Sequence, residues 1–310
     1  MHLLIPMAAV DEPACRAAWR ALRLPHLSQL AARLQAQPAE RLADDDPATP
    51  EEFIRARAIG RPARAPAPWA ALRASELALE QPDSAAWAFV TPCHWLLGQN
   101  QVTLSDPQEL ALSEPESRAL LAAMQPYFAQ DGITLVYDSA ERWLARGEIF
   151  GDLQGASPAR VVGHDIKPWL PGAALLRRLQ TEMQMLLYSH PVNEARSARG
   201  LTPVNAFWVS GCGVLSADHV NASTALTVAH ELLAPARRGD WAAWARAWQA
   251  IDAGPGAALW AALCRGDPQT RLTLCGERSA RTWHNAPQGV LQRLAGRLRR
   301  PSLDSLLESL

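Results

Sequence analysis

Net charge is nearly absent from this chain of 310 residues, whose formal charge is -1 at pH 7. A dedicated polyanion binder carries a basic excess, so a nucleic-acid partner is not expected. Paired cysteines are also missing. The five, Cys15, Cys93, Cys212, Cys264 and Cys275, are scattered with no CxxC spacing, which argues against a disulfide framework or a structural zinc finger. No run approaches the ~18 apolar residues of a membrane span. The opening MHLLIP has no basic flank and is soon followed by Asp11 and Glu12, unlike a secretory signal. A cytoplasmic protein with no membrane partner is the expectation. Lysine is scarcest of all: Lys167 stands alone beside twenty-nine arginines. With abundant Ala, this bias is of the kind a GC-rich coding genome leaves, and it carries no mechanism.

What is present is a globular composition, 48% hydrophobic and 20% charged, long enough to bury a sizeable core. His2 to Ile5 reads as a short strand stopped by Pro6, and Pro13 to Leu34 as a helix broken at Pro25. Residues 37–68 read as a loop-rich segment with a short helix from Thr49, where Glu52 completes a capping-box spacing. Strand signals follow at Trp87 to Val90, Ile133 to Tyr137 and Arg142 to Ile149, with an amphipathic helix over Glu114 to Phe128. Leu175, Leu176, Leu179, Met183, Leu186 and Leu187 set a helix over residues 171–189. Val204 to Val209 predicts a buried strand entering a Ser210-Gly211-Cys212-Gly213 loop junction, of the sort that often lines an α/β site. Two helices and a strand over Arg271 to Leu274 complete an α/β layered pattern. Trp241, Trp244 and Trp248 share a helical face, which suits core or interface packing better than a stacking platform.

From Gly163 to Gly213 the chain reads GHDIKPWLPG, a helix, then SHPVNEARSARGLTPVNAFWVSGCG. This order resembles the archaeal-type cofactor-independent phosphoglycerate mutases, in which a PHDI-like segment, a helix, HPVN, an Arg, a Gly and an Asn-containing strand ending in GxG follow one another. The matching residues are His164, Asp165, His190, Pro191, Val192, Asn193, Arg196, Gly200, Asn205, Gly211 and Gly213. A weaker likeness runs back through Ala88 to Tyr137, with Asp131-Gly132-Ile133 at a DGI-like turn. The whole sequence is similar to a group of bacterial proteins labelled RpfE-type regulators. The resemblance implies an alkaline-phosphatase-like layered core with a mostly parallel central sheet, formed by residues 1–98 and 164–310, and a small inserted α+β substrate domain over residues 99–163. It also implies two divalent cations, such as manganese, held by Asp and His, with a serine that takes the phosphoryl group.

The residues depart from that chemistry. Ile5-Pro6-Met7-Ala8-Ala9 stands where the family's first strand ends in an Asp-Gly metal site. Gly276-Glu277-Arg278-Ser279 replaces a late Gly-Asp-His-Ser, and Leu233 and Arg237 fall on a family Asp and His ahead of Gly239-Asp240. Leu104-Ser105-Asp106-Pro107-Gln108 replaces an Arg-rich substrate segment. Clustered carboxylates and imidazoles are what hold such cations, and guanidinium repels them. No metal site or cofactor is therefore predicted. The expectation is a degenerate relative, non-catalytic and regulatory or anion-binding, with an active phosphotransferase as the alternative and a protein partner of a Trp-rich helix as a third reading. Ser28, in Pro25-His26-Leu27-Ser28, is the candidate nucleophile. His164, Asp165, His190, Asn193, Arg196, Asn205, Arg237 and Arg278 are candidate ligand contacts, the two last as fixed cations replacing bound ones around a small anionic or phosphorylated ligand. For His190 and Asn193 a purely structural role, locking a helix end to the next strand, is favoured. Two further sets stand outside the resemblance. Cys93-His94 lies on strand-like sequence that would point the two side chains apart. Asp218-His219 and His230-Glu231 add imidazole and carboxylate that a fold could gather into a new metal site.

Overall fold

The computed structural model describes residues 1–61, 67–79, 85–216, 226–286 and Leu310. In chain order, strand β1 (His2–Ile5) leads to helices α1 (Pro13–Arg20) and α2 (Pro25–Arg33), strands β2 (Gln35–Ala36) and β3 (Glu40–Arg41), and helices α3 (Pro50–Ala58) and α4 (Trp69–Glu76). Strands β4 (Ala86–Cys93), β5 (Trp95–Leu97) and β6 (Val102–Leu104) precede α5 (Glu114–Gln130), β7 (Thr134–Ser139) and β8 (Arg142–Arg146). Helices α6 (Pro158–Val161), α7 (Ala174–Tyr188) and α8 (Pro191–Ala198) then lead to β9 (Ala206–Val214). The last elements are β10 (Leu226–Val228), α9 (Leu233–Arg237), α10 (Trp241–Ile251), α11 (Ala257–Cys264), β11 (Arg271–Cys275) and β12 (Ser279–His284). Pro13, Pro25 and Pro50 each open a helix, the position where a missing N–H costs nothing. Thr49 caps α3 as its spacing predicts. Glu52 N donates to Thr49 Oγ1 at 3.2 Å, and Glu52 Oε2 accepts from Thr49 N at 2.9 Å.

The described residues form two compact units, one of residues 1–45, 49–59, 226–286 and Leu310, the other of 46–48, 60–61, 67–79 and 85–216. The stretch 99–163, expected as an insertion, lies wholly within the second unit. The first unit is built on a sheet of order β10-β1-β11-β12-β2, with β3 also on β12. This sheet is mixed, which corrects the expectation of a mostly parallel one. β1 runs parallel to β10 and β11, whereas β12 pairs antiparallel with β11, β2 and β3. The cause is local: Gly276 N bonds Ser279 O at 2.8 Å, a tight turn that sends the chain straight back as β12.

The core of this unit gathers Leu3, Ile5, Leu27, Leu30, Leu272 and Leu274 around three tryptophans. Trp19 stands 5.2 Å from Trp248 and 6.2 Å from Trp244, and the latter two are 5.8 Å apart. Tilted and edge-on aromatic pairs of this kind add about 0.5–1.5 kcal/mol each beyond area burial. Trp244 and Trp248 are fully buried and Trp241 packs against them. The tryptophan stripe therefore faces the core, and the reading of this helix as an exposed partner surface is withdrawn.

The second unit carries the antiparallel sheet β7-β8-β4-β9. Leu120, Met124 and Phe128 of α5 and Leu176, Leu179 and Met183 of α7 share one core with Val90, Trp143 and Phe207. Ala70, Ala71 and Ala74 of α4 form a separate cluster with Trp87 and Leu144. The Ser210 to Gly213 stretch is strand, not loop: β9 continues to Val214 opposite Ala86. Gly211 makes this possible. Its φ is +61°, and a Cβ there would come within 2.8 Å of the Phe89 ring, so only glycine fits against β4.

Candidate functional site

Ligands of open α/β sheets collect outside the carboxyl ends of parallel strands, which in the first unit are the ends of β1, β10 and β11. After β1 the chain turns through Met7, whose φ of 52° is left-handed and unusual for a side chain of its size. Two bonds hold it there: Ala8 N donates to Cys275 O at 2.7 Å, and Trp244 Nε1 donates to Met7 O at 3.1 Å. The chain then passes Asp11, whose N donates to Glu277 Oε2 at 3.1 Å, and enters α1.

A cavity of about 790 Å³ opens between this segment, β3 and the β11–β12 turn. Arg16 and Arg20 of α1, Arg41 of β3 and Arg278 of the turn line it, against the carboxylates Asp11 and Glu277. Among these side chains, four guanidinium groups face three carboxylates once the Asp44 partner of Arg278 is counted, an excess of one positive charge. Asp11 pairs with Arg16 at 3.0 Å. Arg278 makes an ion pair with Asp44 through Nη2, while its buried Nε finds no hydrogen-bond partner among the described residues. Arg20 and Arg41 form no ion pair among the described residues. Donors without acceptors, grouped in one hollow, can take oxygens from an anion. Burial pushes the Cys15 thiol of the same wall above its ordinary value, which makes it a poor nucleophile.

Just beyond β10, His230 Nε2 meets Glu51 Oε1 at 3.0 Å, and Arg55 Nη1 reaches the same oxygen at 3.3 Å. Burial alone would raise the Glu51 carboxyl, but the His230 hydrogen bond and the charges of His230 and Arg55 hold it below the usual range. The Glu51 bond raises His230 in turn, against its own burial. Cys275, at the end of β11, is pushed far up by burial and then by the Glu51 charge.

No group of three or more His, Cys, Asp and Glu side chains able to hold a metal occurs among the described residues. His230 and Glu51 are engaged with each other, and Asp218-His219 lie outside the described residues. The cations that line the cavity would repel another.

The remaining candidates divide by location. Ser28 lies in α2, and its Oγ donates to Leu24 O at 2.7 Å. The neighbouring His26 does form a dyad, its Nδ1 3.1 Å from Asp252 Oδ2. Two residues apart on a helix, however, is about 200° of rotation, so His26 and Ser28 face apart. Asp252, nearly buried in a π-helical turn, also accepts from Leu27 N at 2.8 Å and so caps α2 from a distance. Arg237, half-buried, ends α9. Of the candidates, only Arg278 lines the cavity.

The others lie in the second unit. His164 is exposed, its ring bonded to Val162 O at 2.9 Å, and Asp165 accepts from Lys167 N at 3.2 Å. His190 caps α8, accepting from Val192 N at 3.2 Å, and burial lowers its basicity. Asn193 donates to Leu187 O at 2.8 Å and Val204 O at 2.6 Å, and accepts from Val204 N at 2.8 Å. It ties the end of α7 to the approach of β9. Arg196 is fully buried. It gives Nη1 to Glu116 at 3.1 Å, Nη2 to Leu110 O at 2.5 Å and Nε to Thr202 O at 2.9 Å. Asn205 accepts from Trp95 N at 2.7 Å and donates to Trp95 O at 3.0 Å, standing in for a strand peptide. Cys93 is buried at the end of β4, and His94 turns away to bond Pro203 O at 2.9 Å.

No protein-family model matches the chain, and no curated protein matches it either. Two solved structures align with it over nearly its full length. The PH0037 protein of Pyrococcus horikoshii does so at 12% identity and a TM-score of 0.48, covering 98% of this chain and 95% of its own. The cofactor-independent phosphoglycerate mutase of Thermoplasma acidophilum aligns at 12% identity and a TM-score of 0.35, covering 100% and 99%. Likeness at this level says nothing about chemistry. No helix among the described residues is long and apolar enough to cross a membrane.

Proposed function

We propose that this protein is a non-catalytic relative of the phosphoglycerate mutases that binds an anionic ligand and acts through it as a regulator. One observation carries the reading: the cavity at the strand ends is lined by Arg16, Arg20, Arg41 and Arg278, where metal-dependent phosphoryl transfer would need carboxylates and imidazoles. The Arg278 Nε, without a partner among the described residues, supports it further, because a buried unpaired donor is costly unless a ligand supplies the acceptor. In this reading fixed guanidinium charge holds the anion in place of bound metal.

Titration calorimetry with inorganic phosphate and 3-phosphoglycerate tests the proposal directly. Saturable binding that weakens at least ~10-fold in Arg278→Met is expected, the effect of losing a charge-assisted contact. Heat-silent titrations with both anions would sink it. Metal analysis of the purified protein, followed by a coupled assay of 3- to 2-phosphoglycerate conversion with added manganese, tests the non-catalytic half. Turnover that disappears in Ser28→Ala would overturn that half.

A further inference from the structure

The cavity is larger and less polar than a small phosphorylated acid requires. Its volume of about 790 Å³ lies in the range of pockets that enclose drug-sized organic ligands, ~300–1,000 Å³. Its wall is two-sided in composition, with arginines accompanied by Ala9, Val10, Cys15, Trp19 and Ala39. Trp19, 3% exposed, backs this wall from the core. An apolar stretch of this kind gains nothing from a hydrated phosphate, but it rewards an apolar body that leaves water with it. Arg278 sits in the turn beside Ser279, which faces Arg41 in the β12–β3 register, so two guanidinium groups stand at one end of the hollow.

We infer that the cavity takes an amphipathic organic anion: a phosphate or carboxylate held by Arg41 and Arg278, joined to an aromatic or alkyl body lying along Ala9, Val10 and Ala39. This rests on the anion-binding reading and adds the ligand class to it. The chemistry excludes a strongly hydroxylated body, which would leave its hydroxyls unpaired against Val10 and Ala39.

The test compares three probes on the full chain by calorimetry: inorganic phosphate, 3-phosphoglycerate and 1-naphthyl phosphate. The expected result is naphthyl phosphate binding at least ~10-fold tighter than the other two. In Arg41→Met and in Arg278→Met its affinity falls at least ~10-fold. Val10→Asp weakens it similarly by placing charge against the ring. Ala39→Asp serves if the first aspartate variant loses its cooperative thermal transition. Arg178→Met, whose side chain pairs with Asp131 in the other unit, leaves all three affinities unchanged. Equal affinity for the three probes would overturn the ligand class while leaving an anion site. An Arg41→Met protein that binds naphthyl phosphate as before would overturn the placement. Binding of none of the three would overturn both the class and the anion reading beneath it.

Discussion

Arg196 and Arg278 are the same residue in opposite circumstances. Arg196 belongs to the segment whose sequence most resembles the phosphoglycerate mutases, and its donors bond Glu116, Leu110 O and Thr202 O inside the second unit. Arg278 stands in the first unit where the resemblance is poorest, on a cavity wall, with Nε unanswered among the described residues. The contrast extends to their neighbours. Asn193 and Asn205 are fully occupied with backbone groups, whereas Arg20 and Arg41 lack ion pairs among the described residues. A motif that stands out in a sequence can thus owe its pattern to architecture, because buried polar groups must find partners of fixed geometry. Residues available to a ligand carry no such pattern.

The sharpest way to break this contrast is to remove Arg196. Arg196→Met should lower unfolding free energy by about 3–5 kcal/mol, because it leaves the carbonyls of Leu110 and Thr202 without their donor and takes one cation from Glu116, which keeps Arg199 and Ser113. Arg278→Met should stay within about 1 kcal/mol of the parent, as expected for a half-exposed ion pair. Urea titrations of both variants measure the difference, and equal losses would erase the distinction. Next in size, Asn193→Ala should cost about 2–3 kcal/mol in the same experiment, since Val204 N, Val204 O and Leu187 O lose their partner together.

Acid should separate the two units. Burial, then the charges of Arg271 and the amino terminus, depress His2 from 6.5 to about 4. A histidine kept neutral in the fold contributes stability that is complete above 6.5 and is lost as pH falls toward about 4. Glu116 is opposed by burial, but its Ser113 bonds, Arg199 and Arg196 depress it from 4.5 to about 2. Its contribution is complete above 4.5 and is lost as pH falls toward about 2. Amide exchange measured from pH 7 to about 3 should therefore show β1 and β11 loosening before α5 and α8. The reverse order would contradict these assignments.

The smallest effect belongs to His230. Its ion pair with Glu51 should be present below 6.5 and fade as pH rises through the raised value of the folded protein. His230 is 55% exposed, so the pair is worth less than about 1 kcal/mol. His230→Gln should flatten that slight loss of stability between neutral and alkaline pH, as read by thermal denaturation.

Most of the longer elements were legible in the sequence. Leu176, Leu179 and Met183 mark α7 by their spacing, Pro13 and Pro25 mark the breaks at α1 and α2, and Thr49 with Glu52 marks the start of α3. Strands of two or three residues, β2, β3 and β10, are too short to show a period. β12 was missed because its pairing depends on the Gly276 turn. At the cavity, only Arg278 had a sequence signal, through its place in Gly276-Glu277-Arg278-Ser279. Arg16, Arg20 and Arg41 are ordinary surface arginines until the turn after β1 and the β3–β12 pairing bring them together. His230 and Glu51 are 179 residues apart, and His26 and Asp252 are 226 apart. No local pattern joins either pair.

The near-absence of lysine has one more consequence at this cavity. Each of its four cations is a guanidinium, and guanidinium keeps its proton at any pH a folded protein survives. Reagents that modify amines will pass the cavity by, while dicarbonyls that condense with arginine will report whether it is filled. An anion held there meets a nearly constant basic field, so the change of its affinity across neutral pH is the ligand's own titration curve, and the protonation state of the unknown ligand can be read from its binding.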